Sequence, residues 1–550
     1  MSLYSSLSIG RQALQISQIG LQITAQNIAN VNTQGYKRQR VEQANLPYGL
    51  GVTVQAIDRI QDTFAEKNLL GITSDASCTD LTAQAYAELE SLFNEMTGSG
   101  LESEFSDFFA ALHDLAARPG GTAERAMLRS RGESLSRVFN FLQQQMTDQI
   151  KNQDLEIQQT LTDANELIRQ IGELNKKIGV GTSTDVGINE LKNTRDECVR
   201  KLAEIMPVTT TEDVNGNFTV YIKEGMPLVS GTEICQLKAE HDVTNDLKSN
   251  IIWVSDNGVR QDVTAQMTNG SLGGALLNRD VNIPEQITKL DRLAAEITLR
   301  FNEQHRAGVG LDGVGDRNFF EPLSVFTHVG QGSTGGASVT AATVLDESAL
   351  TLDDYAVRLA DDGMGGFNYT VVNETTGATA ASGAYVSGAA ITFDGISVTL
   401  TDATGPPVDS DFFRVNTYSD AAKNIRVSSD VEASLDAIAA GLSAESGDNR
   451  NALNLADLEN KRVAANGTMS FTEMYQAMVV ELGVAAGAEK MEQESNSALL
   501  SQATNMVESV SGVNIDDEAV SLMQYQHAYQ AAAKVISTVD EMLKTLVDMI

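Results

Sequence analysis

Basic side chains are scarce in this sequence: 39 Lys and Arg stand against 74 Asp and Glu, a formal net charge of −35. A phosphate backbone is gripped by clustered cations, so this balance argues against a nucleic-acid partner. Only three cysteines occur, Cys78, Cys198 and Cys235, with no CxxC pair and no disulfide framework, and they read as small buried thiols. The five histidines, at 113, 241, 305, 328 and 527, have no zinc-ligand spacing, so neither a metal nor a cofactor is expected. Proline is limited to 8 residues and aromatics to 5% with a single Trp, which favours long helices and light β-structure over a dense enzyme-like core. No segment reads as a membrane span, and no membrane partner is expected. Between Arg11 and Lys37 there is no charge, but Gln, Asn, Ser and Thr interrupt the stretch throughout. It has neither the apolar core nor the cleavage site of a signal peptide, so if the protein leaves the cell it is expected to do so without a cleaved signal.

Catalytic motifs are also missing. Gly308-Val-Gly310-Leu-Asp-Gly313 formally matches GxGxxG. A dinucleotide site needs that motif after a strand and before a helix, whereas here it follows a helical pattern and leads into a loop. It reads as a helix terminator. No GxSxG, HExxH or Walker sequence is present, so no catalytic residue is assigned and the chain is read as a non-enzyme.

What the sequence has instead is helical periodicity at both ends. Residues 3–30 read as one helix, with Leu7, Leu14, Leu21 and Ile28 in one heptad series and Ile9, Ile16 and Ile23 in a second. A two-residue offset is about 200° around a helix, so the two stripes look in nearly opposite directions and call for cover on both sides. The last helix carries Leu522, Tyr529, Ile536, Leu543 and Ile550 at one heptad position, and Tyr525, Ala532, Val539 and Leu546 three residues later. All of these positions are apolar or aromatic, which is a coiled-coil seam. Residues 1–60 hold Arg11, Lys37, Arg38, Arg40 and Arg59 against Glu42 and Asp58, and residues 511–550 hold six acids against Lys534 and Lys544. The ends are therefore nearly neutral and slightly complementary, and the self-repelling charge sits between them.

Between the ends, helix is predicted over 81–96, 101–117 and, without Pro, from Ala123 to about Ile178, where Ile157, Leu161, Ala164, Ile168 and Ile171 step by four and three. Alternation returns at Phe218, Val220 and Ile222 after a turn at Asn215-Gly216, marking a small β-rich insertion over 207–274. Pro284 is placed as the first residue of a new helix that ends at Gly308. A second β-rich insertion covers 325–426, with Asp394-Gly395 turning a hairpin between Ile391–Phe393 and Ile396–Leu400. Its acidic, Thr- and Gly-rich surface reads as an outer shell. Ser470-Phe-Thr-Glu473 is a capping box, and Asn514 or Asp516 caps the last helix. The expected fold class is α+β multidomain: paired terminal coiled-coil helices and a long-helix bundle, with two inserted small β-rich domains. The expected units are 1–60 plus 511–550 (terminal assembly), 61–206 plus 275–324 plus 427–510 (long-helix rod), 207–274 and 325–426.

Two terminal segments resemble a known family. Asn27-Ile-Ala-Asn30-Val-Asn32-Thr-Gln-Gly35-Tyr36 is similar to the N-terminal signature of bacterial flagellar rod, hook and hook-associated proteins. Ser511–Glu518 through Tyr525–Glu541 resembles the matching C-terminal signature. Within that superfamily, Leu191–Leu202, Gly270–Leu277 and Leu290–Ile297 resemble the FlgK-type hook-associated family. One departure is Gln34, where that family usually has Pro. The resemblance implies an extracellular structural subunit of the bacterial flagellum at the hook–filament junction. Its partners would be identical copies in a ring or tube, the hook protein, the next hook-associated junction protein, and an export chaperone on the C-terminal region. It also implies unfolded export through the flagellar type III apparatus. A hook or rod subunit is the alternative, distinguished by a body that is mostly β.

Overall fold

The computed structural model describes the chain except residues 1–2, 48–50, 94–99, 182–185, 214–215, 223–224, 242–247, 331–332, 403–404 and 550. Ile550, the expected last seam position, and Asn215 of the expected turn lie outside the described residues.

The N-terminal helix α1 (Leu3–Ala29) ends in the Asn-rich turn and is followed by an antiparallel hairpin, β1 (Gln39–Asn45) with β2 (Val52–Arg59). Helix α2 (Thr63–Leu92) comes next, then α3 (Leu101–Ala117) and α4 (Thr122–Gly179). The expected start at 81 was therefore 18 residues too late. Asp62 caps α2 by accepting from the Phe64 and Ala65 amides, but the first half of α2 buries only Ala65, Thr73 and Ser74, with Thr79 just beyond, instead of an apolar stripe. Periodicity cannot detect a helix whose packed face is polar and small.

With 58 residues, α4 is roughly 87 Å long and joins two cores. Its first half inserts Leu128, Leu135, Phe139, Leu142 and Met146 into a bundle with α3, the end of α2 and later helices. Its second half inserts Ile157, Leu161, Ala164, Ile168 and Ile171 into a separate core with helix α5 (Val186–Ile205) and the first β-insertion. That insertion is two antiparallel sheets. One holds β3 (Val208–Glu212), β4 (Phe218–Ile222), β5 (Met226–Ser230) and β6 (Glu233–Ile234); the other holds β7 (Gln236–His241), β8 (Ser249–Val254) and β9 (Arg260–Asp262).

Pro284 does not open a new helix. The chain is helical from α6 (Gly270–Leu277) through a π-helical segment, Asn278–Asn282, into α7 (Ile283–Arg306). Proline has no N–H to give to the carbonyl four residues back, and the wider turn just before it absorbs the missing bond. Arg279, fully buried on that turn, pairs with Asp154 of α4 at 2.7 Å and donates to the Ser249 carbonyl of β8.

The second insertion packs two sheets over one core that includes Tyr355, Val357, Val398 and Phe413. The order is β10 (Phe326–Val329), β17 (Phe412–Asn416), β12 (Tyr355–Asp361), β13 (Phe367–Asn373), β14 (Thr379–Ala384) in one sheet, and β11 (Ser338–Val344), β16 (Ile396–Thr401), β15 (Ala390–Phe393) in the other. Asp394 and Gly395 both take positive φ and turn the β15–β16 hairpin as expected.

Short helices α8 (Ala421–Asn424), α9 (Ser429–Ala433) and α10 (Arg450–Asp457) then lead to α11 (Phe471–Ser511), which opens with the Ser470/Glu473 capping box. Asn514 caps the last helix, α12 (Ile515–Asp548), by accepting from the Asp516 amide. Among the described residues no helix is long and apolar enough to cross a membrane.

Candidate assembly surface

Helices α1 and α12 run antiparallel, as three pairings show. A methyl group built on Gly10 would come within 2.8 Å of Ile536 Cγ1, one on Gly20 within 2.4 Å of Tyr525 Cε1, and Asn27 hydrogen-bonds Glu518. The face of α1 that receives α12 is a series of small residues. Gly10, Ser17, Gly20, Thr24 and Asn27 are buried and step by seven, three, four and three. Bulky α12 side chains drop onto those gaps, which lets the two backbones approach closely.

This seam was not anticipated from the large apolar residues. On the α1 helix it lies in the gap between the two predicted stripes, by the 100° step per residue. Of those stripes, Ile16 and Ile23 are buried, and Ile23 packs with Val41 and Ile57 of the β1–β2 hairpin. Leu7, Ile9, Leu14, Leu21 and Ile28 are half-buried. On α12, Ala532 and Val539 are buried, and Leu522, Tyr525, Ile536 and Leu543 are half-buried. Tyr529 and Leu546 face outwards, with Met523, Val535 and Met542 beside them. The recurrence of Gly, Ser and Thr at 10, 17 and 24, with Gly20 and Asn27 three residues on, was the available clue.

The signature turn is a polar hub. Buried Asn27 uses its whole amide: Nδ2 donates to the Gln39 carbonyl and to Glu518 Oε2, both at 3.0 Å, and Oδ1 accepts from the Gln39 amide at 3.0 Å and the Tyr36 hydroxyl at 2.9 Å. Arg38 donates its Nε to the other oxygen of Glu518 at 2.7 Å and its amide to the Ser511 carbonyl at 2.8 Å. One Asn thus ties the end of α1, the hairpin and the start of α12. Burial pushes the Tyr36 phenol up to about 12, against a lowering hydrogen bond with Gln39 and with the Glu190 and Glu518 charges adding to the rise, so it stays a donor. Asn30 binds back to the Gln26 carbonyl at 3.0 Å and accepts from Thr33, which tightens the turn. Gly35 has φ +76°, the left-handed region a glycine enters freely. Asn32 is exposed.

The hub is bolted to the rest of the chain by charge. Lys37 Nζ lies 2.7 Å from Asp196 of α5 and 2.6 Å from Glu66 of α2, and Arg59 Nη1 lies 2.7 Å from Asp196. Burial alone would raise the Asp196 carboxyl, but Arg59, Lys37 and Arg195 outweigh it and hold it below the usual carboxylate range. Asn189 of α5 donates to Gln39 Oε1 at 3.0 Å and to the Ile57 carbonyl at 2.8 Å. Arg38 is legible in the sequence only as a charge, and Glu518 and Asp196 only as members of family-like segments. Neither their roles nor that of Asn189 can be read there, because each acts by tertiary pairing rather than by periodicity. The GxGxxG segment forms a loop after α7 that is bridged to Gly441, with no strand leading into it. Among the described residues no group of His, Cys, Asp or Glu is arranged to hold a metal.

A family model described as the flagellar hook-associated protein FlgK helical domain matches residues 86–320. Models for flagella basal body rod proteins and for the rod FlgEFG C-terminal segment match residues 7–37 and 503–549, which are the paired ends. The chain is 27% identical to flagellar hook-associated protein 1 of Escherichia coli K12 over 556 residues, covering 99% of this chain and all of that protein. It is 25% identical to flagellar hook-associated protein 1 of Bacillus subtilis 168, covering all of this chain and 98% of that one. In fold it resembles the flagellar hook junction protein FlgK of Burkholderia pseudomallei, with a TM-score of 0.68 at 20% identity over 81% of this chain and all of that structure. A helical domain of one family lies between terminal segments shared by flagellar axial proteins, and on this evidence the chain belongs to the FlgK-type flagellar hook-associated family.

Proposed function

We propose that this chain is the structural subunit that joins hook to filament in its flagellum, and that copies assemble through the α1–α12 pair. It is a structural flagellar protein, not an enzyme. The observation that carries the assembly reading is the surface left over after the helices pair. Tyr4 is 76% exposed, and Met523, Val535, Met542, Leu546 and Val547 of α12 are all exposed in a single copy. Buried against neighbouring pairs, such side chains contribute about 25 cal/mol per Å² of apolar area removed from water.

In this reading residues 1–60 and 511–550 form the assembly domain. Half-buried Leu7, Ile9, Leu14, Leu21 and Ile28 of α1 and outward Tyr529 and Leu546 of α12 face neighbouring copies, whereas Ile16, Ile23, Ala532 and Val539 are already covered within one copy and hold the pair and the hairpin together. Residues 61–206, 275–324 and 427–510 form the rod, and the insertions at 207–274 and 325–426 stand outside the assembly contacts. The hook protein and the next hook-associated protein are the end-on neighbours. A chaperone holds the C-terminal region before the chain is exported unfolded. Helix makes up 56% of the structure, which does not fit the mostly β body that a hook subunit would need.

The test is genetic. Cells lacking this chain should build hooks and shed filament subunits into the medium, and the intact gene should restore filaments. Filaments retained on such cells would overturn the junction reading.

A further inference from the structure

On the rod, a large aromatic side chain and a cleft that suits one lie at the same height on opposite flanks. Phe139 of α4 is fully buried and meets Phe105 of α3 edge-to-face at 6.0 Å, and Phe105 in turn meets Tyr475 of α11 at 6.4 Å. Three helices are thereby fixed in one layer. Phe141 is two residues beyond Phe139, about 200° around α4, so it points away from that layer. It is 58% exposed, unusual for a phenylalanine on a structured helix. At the far side of the layer lies a cleft of about 530 Å³ whose floor is formed by the buried side chains of Phe93, Tyr475 and Leu482 and whose open wall includes Val480. Val480 there is 65% exposed.

The charges around the two features are opposite. Arg137 lies one turn before Phe141 on the same face of α4 and is exposed. The cleft is lined by Glu90 and Glu102, both exposed. On a chain of net charge −35, a place where cation meets anion lowers the repulsion between two copies, and this geometry offers one.

We propose that the rod carries a head-to-tail lateral contact between copies of this chain: Phe141 of one copy enters the Phe93/Tyr475/Val480 cleft of the next, with Arg137 against Glu90 and Glu102. The knob and the hole are different surfaces of the same molecule, so the contact is heterologous and propagates around a ring or along a helix. An aromatic anchor seated in a cleft beside an Arg is the composition of an interface hot spot. The inference rests on the reading that copies assemble side by side, and it adds a second contact beyond the terminal helices.

Photo-cross-linking in assembled flagella separates the two readings. A benzophenone analogue of phenylalanine replaces Phe141 in the full chain, and a second strain carries it at Tyr529. Irradiation of the Phe141 strain should give a covalent dimer of this chain, with the joined peptide falling in 90–93 or 475–482. Arg137→Glu should lower that yield several-fold with helicity unchanged by circular dichroism, and adding Glu90→Arg should restore it. If position 529 cross-links to a neighbouring copy while position 141 gives nothing, another protein or another surface, the lateral contact is wrong and the assembly reading stands. If neither position cross-links to a second copy, both are wrong. A yield that Arg137→Glu leaves unchanged, or that Glu90→Arg fails to restore, removes the charge pairing from the proposal.

Discussion

Gly20 of α1 sits directly beneath the ring of Tyr525 of α12: a methyl group on Gly20 would lie 2.4 to 2.6 Å from three ring carbons. No side chain larger than hydrogen fits without moving the ring or the helix. Gly20→Val should therefore separate the terminal helices while leaving the rod intact. Overpacking of this kind costs about 1–3 kcal/mol. In the assembled protein, hydrogen exchange should accelerate about tenfold or more in residues 10–27 and 518–536, with α4 and α7 unchanged. Equal rates in the variant and the parent would show that Tyr525 has another place to go.

Asn27→Asp keeps the shape of the hub and reverses its chemistry. The two hydrogen bonds donated by Nδ2 are lost, and a carboxylate arrives 3.0 Å from Glu518 Oε2. A buried like-charge contact with unmade hydrogen bonds should cost about 3 kcal/mol at neutral pH. The penalty should shrink in acid, where protonation of one carboxyl supplies a donor again. Protection of the Gln39 and Arg38 amides by hydrogen exchange at two pH values measures this directly.

Asp196→Asn leaves Arg59 without its carboxylate and Lys37 with Glu66 alone. Both cations are more than nine-tenths buried as side chains, so removing their shared partner is costly, on the order of 3 kcal/mol. The expected result is faster proteolytic cleavage within 27–41 with no change in total helix. Unchanged cleavage would place the strength of the joint in Asn189 and the backbone instead.

His305 makes the pH dependence of the rod core predictable. Burial pushes its imidazole down to about 4, with Arg125 and Arg317 adding to the fall, although the 2.6 Å bond to the Arg317 carbonyl acts the other way. Its Nε2 accepts from the Ala439 amide at 2.9 Å, a bond only the neutral ring can make. The folded value lies below the ordinary 6.5, so the contribution is complete above about 6.5 and is lost as pH falls towards 4, about 3 kcal/mol in all. Urea unfolding at pH 7 and pH 4.5 should show the gap between the parent and His305→Gln narrowing by most of that amount. A constant gap would sink the neutral-imidazole account.

The terminal pair should also behave differently alone and assembled. Much of α12 is exposed in one copy, so its amides should exchange quickly in dilute monomer and become protected on assembly. Strong protection in the monomer would mean the pair is stable without neighbours.

Long helices with apolar stripes were legible from the chain alone. The α4 steps from Ile157 to Ile171, the Ser470/Glu473 box and the Asp394-Gly395 hairpin are all where local chemistry places them. Such features depend on residues within a few positions of one another, and their spacing is their mechanism. The first half of α2 and the junction before Pro284 were misread for the converse reason. A helix face of Thr and Ser has no hydrophobic period, and a π turn has no sequence mark of its own.

The paired ends show where that boundary falls. Sequence alone determined that both ends are helices, that α12 carries a seam, and that an Asn- and Gly-rich turn follows α1. Only the tertiary structure decided which face of α1 receives α12, because the choice turns on close approach. Small side chains let the backbones come together, and hydrophobicity does not count what is absent. It alone also decided that Asn27, in the signature turn, meets Glu518 across 491 residues, since a hydrogen bond is made by atoms about 3 Å apart whatever their distance along the chain.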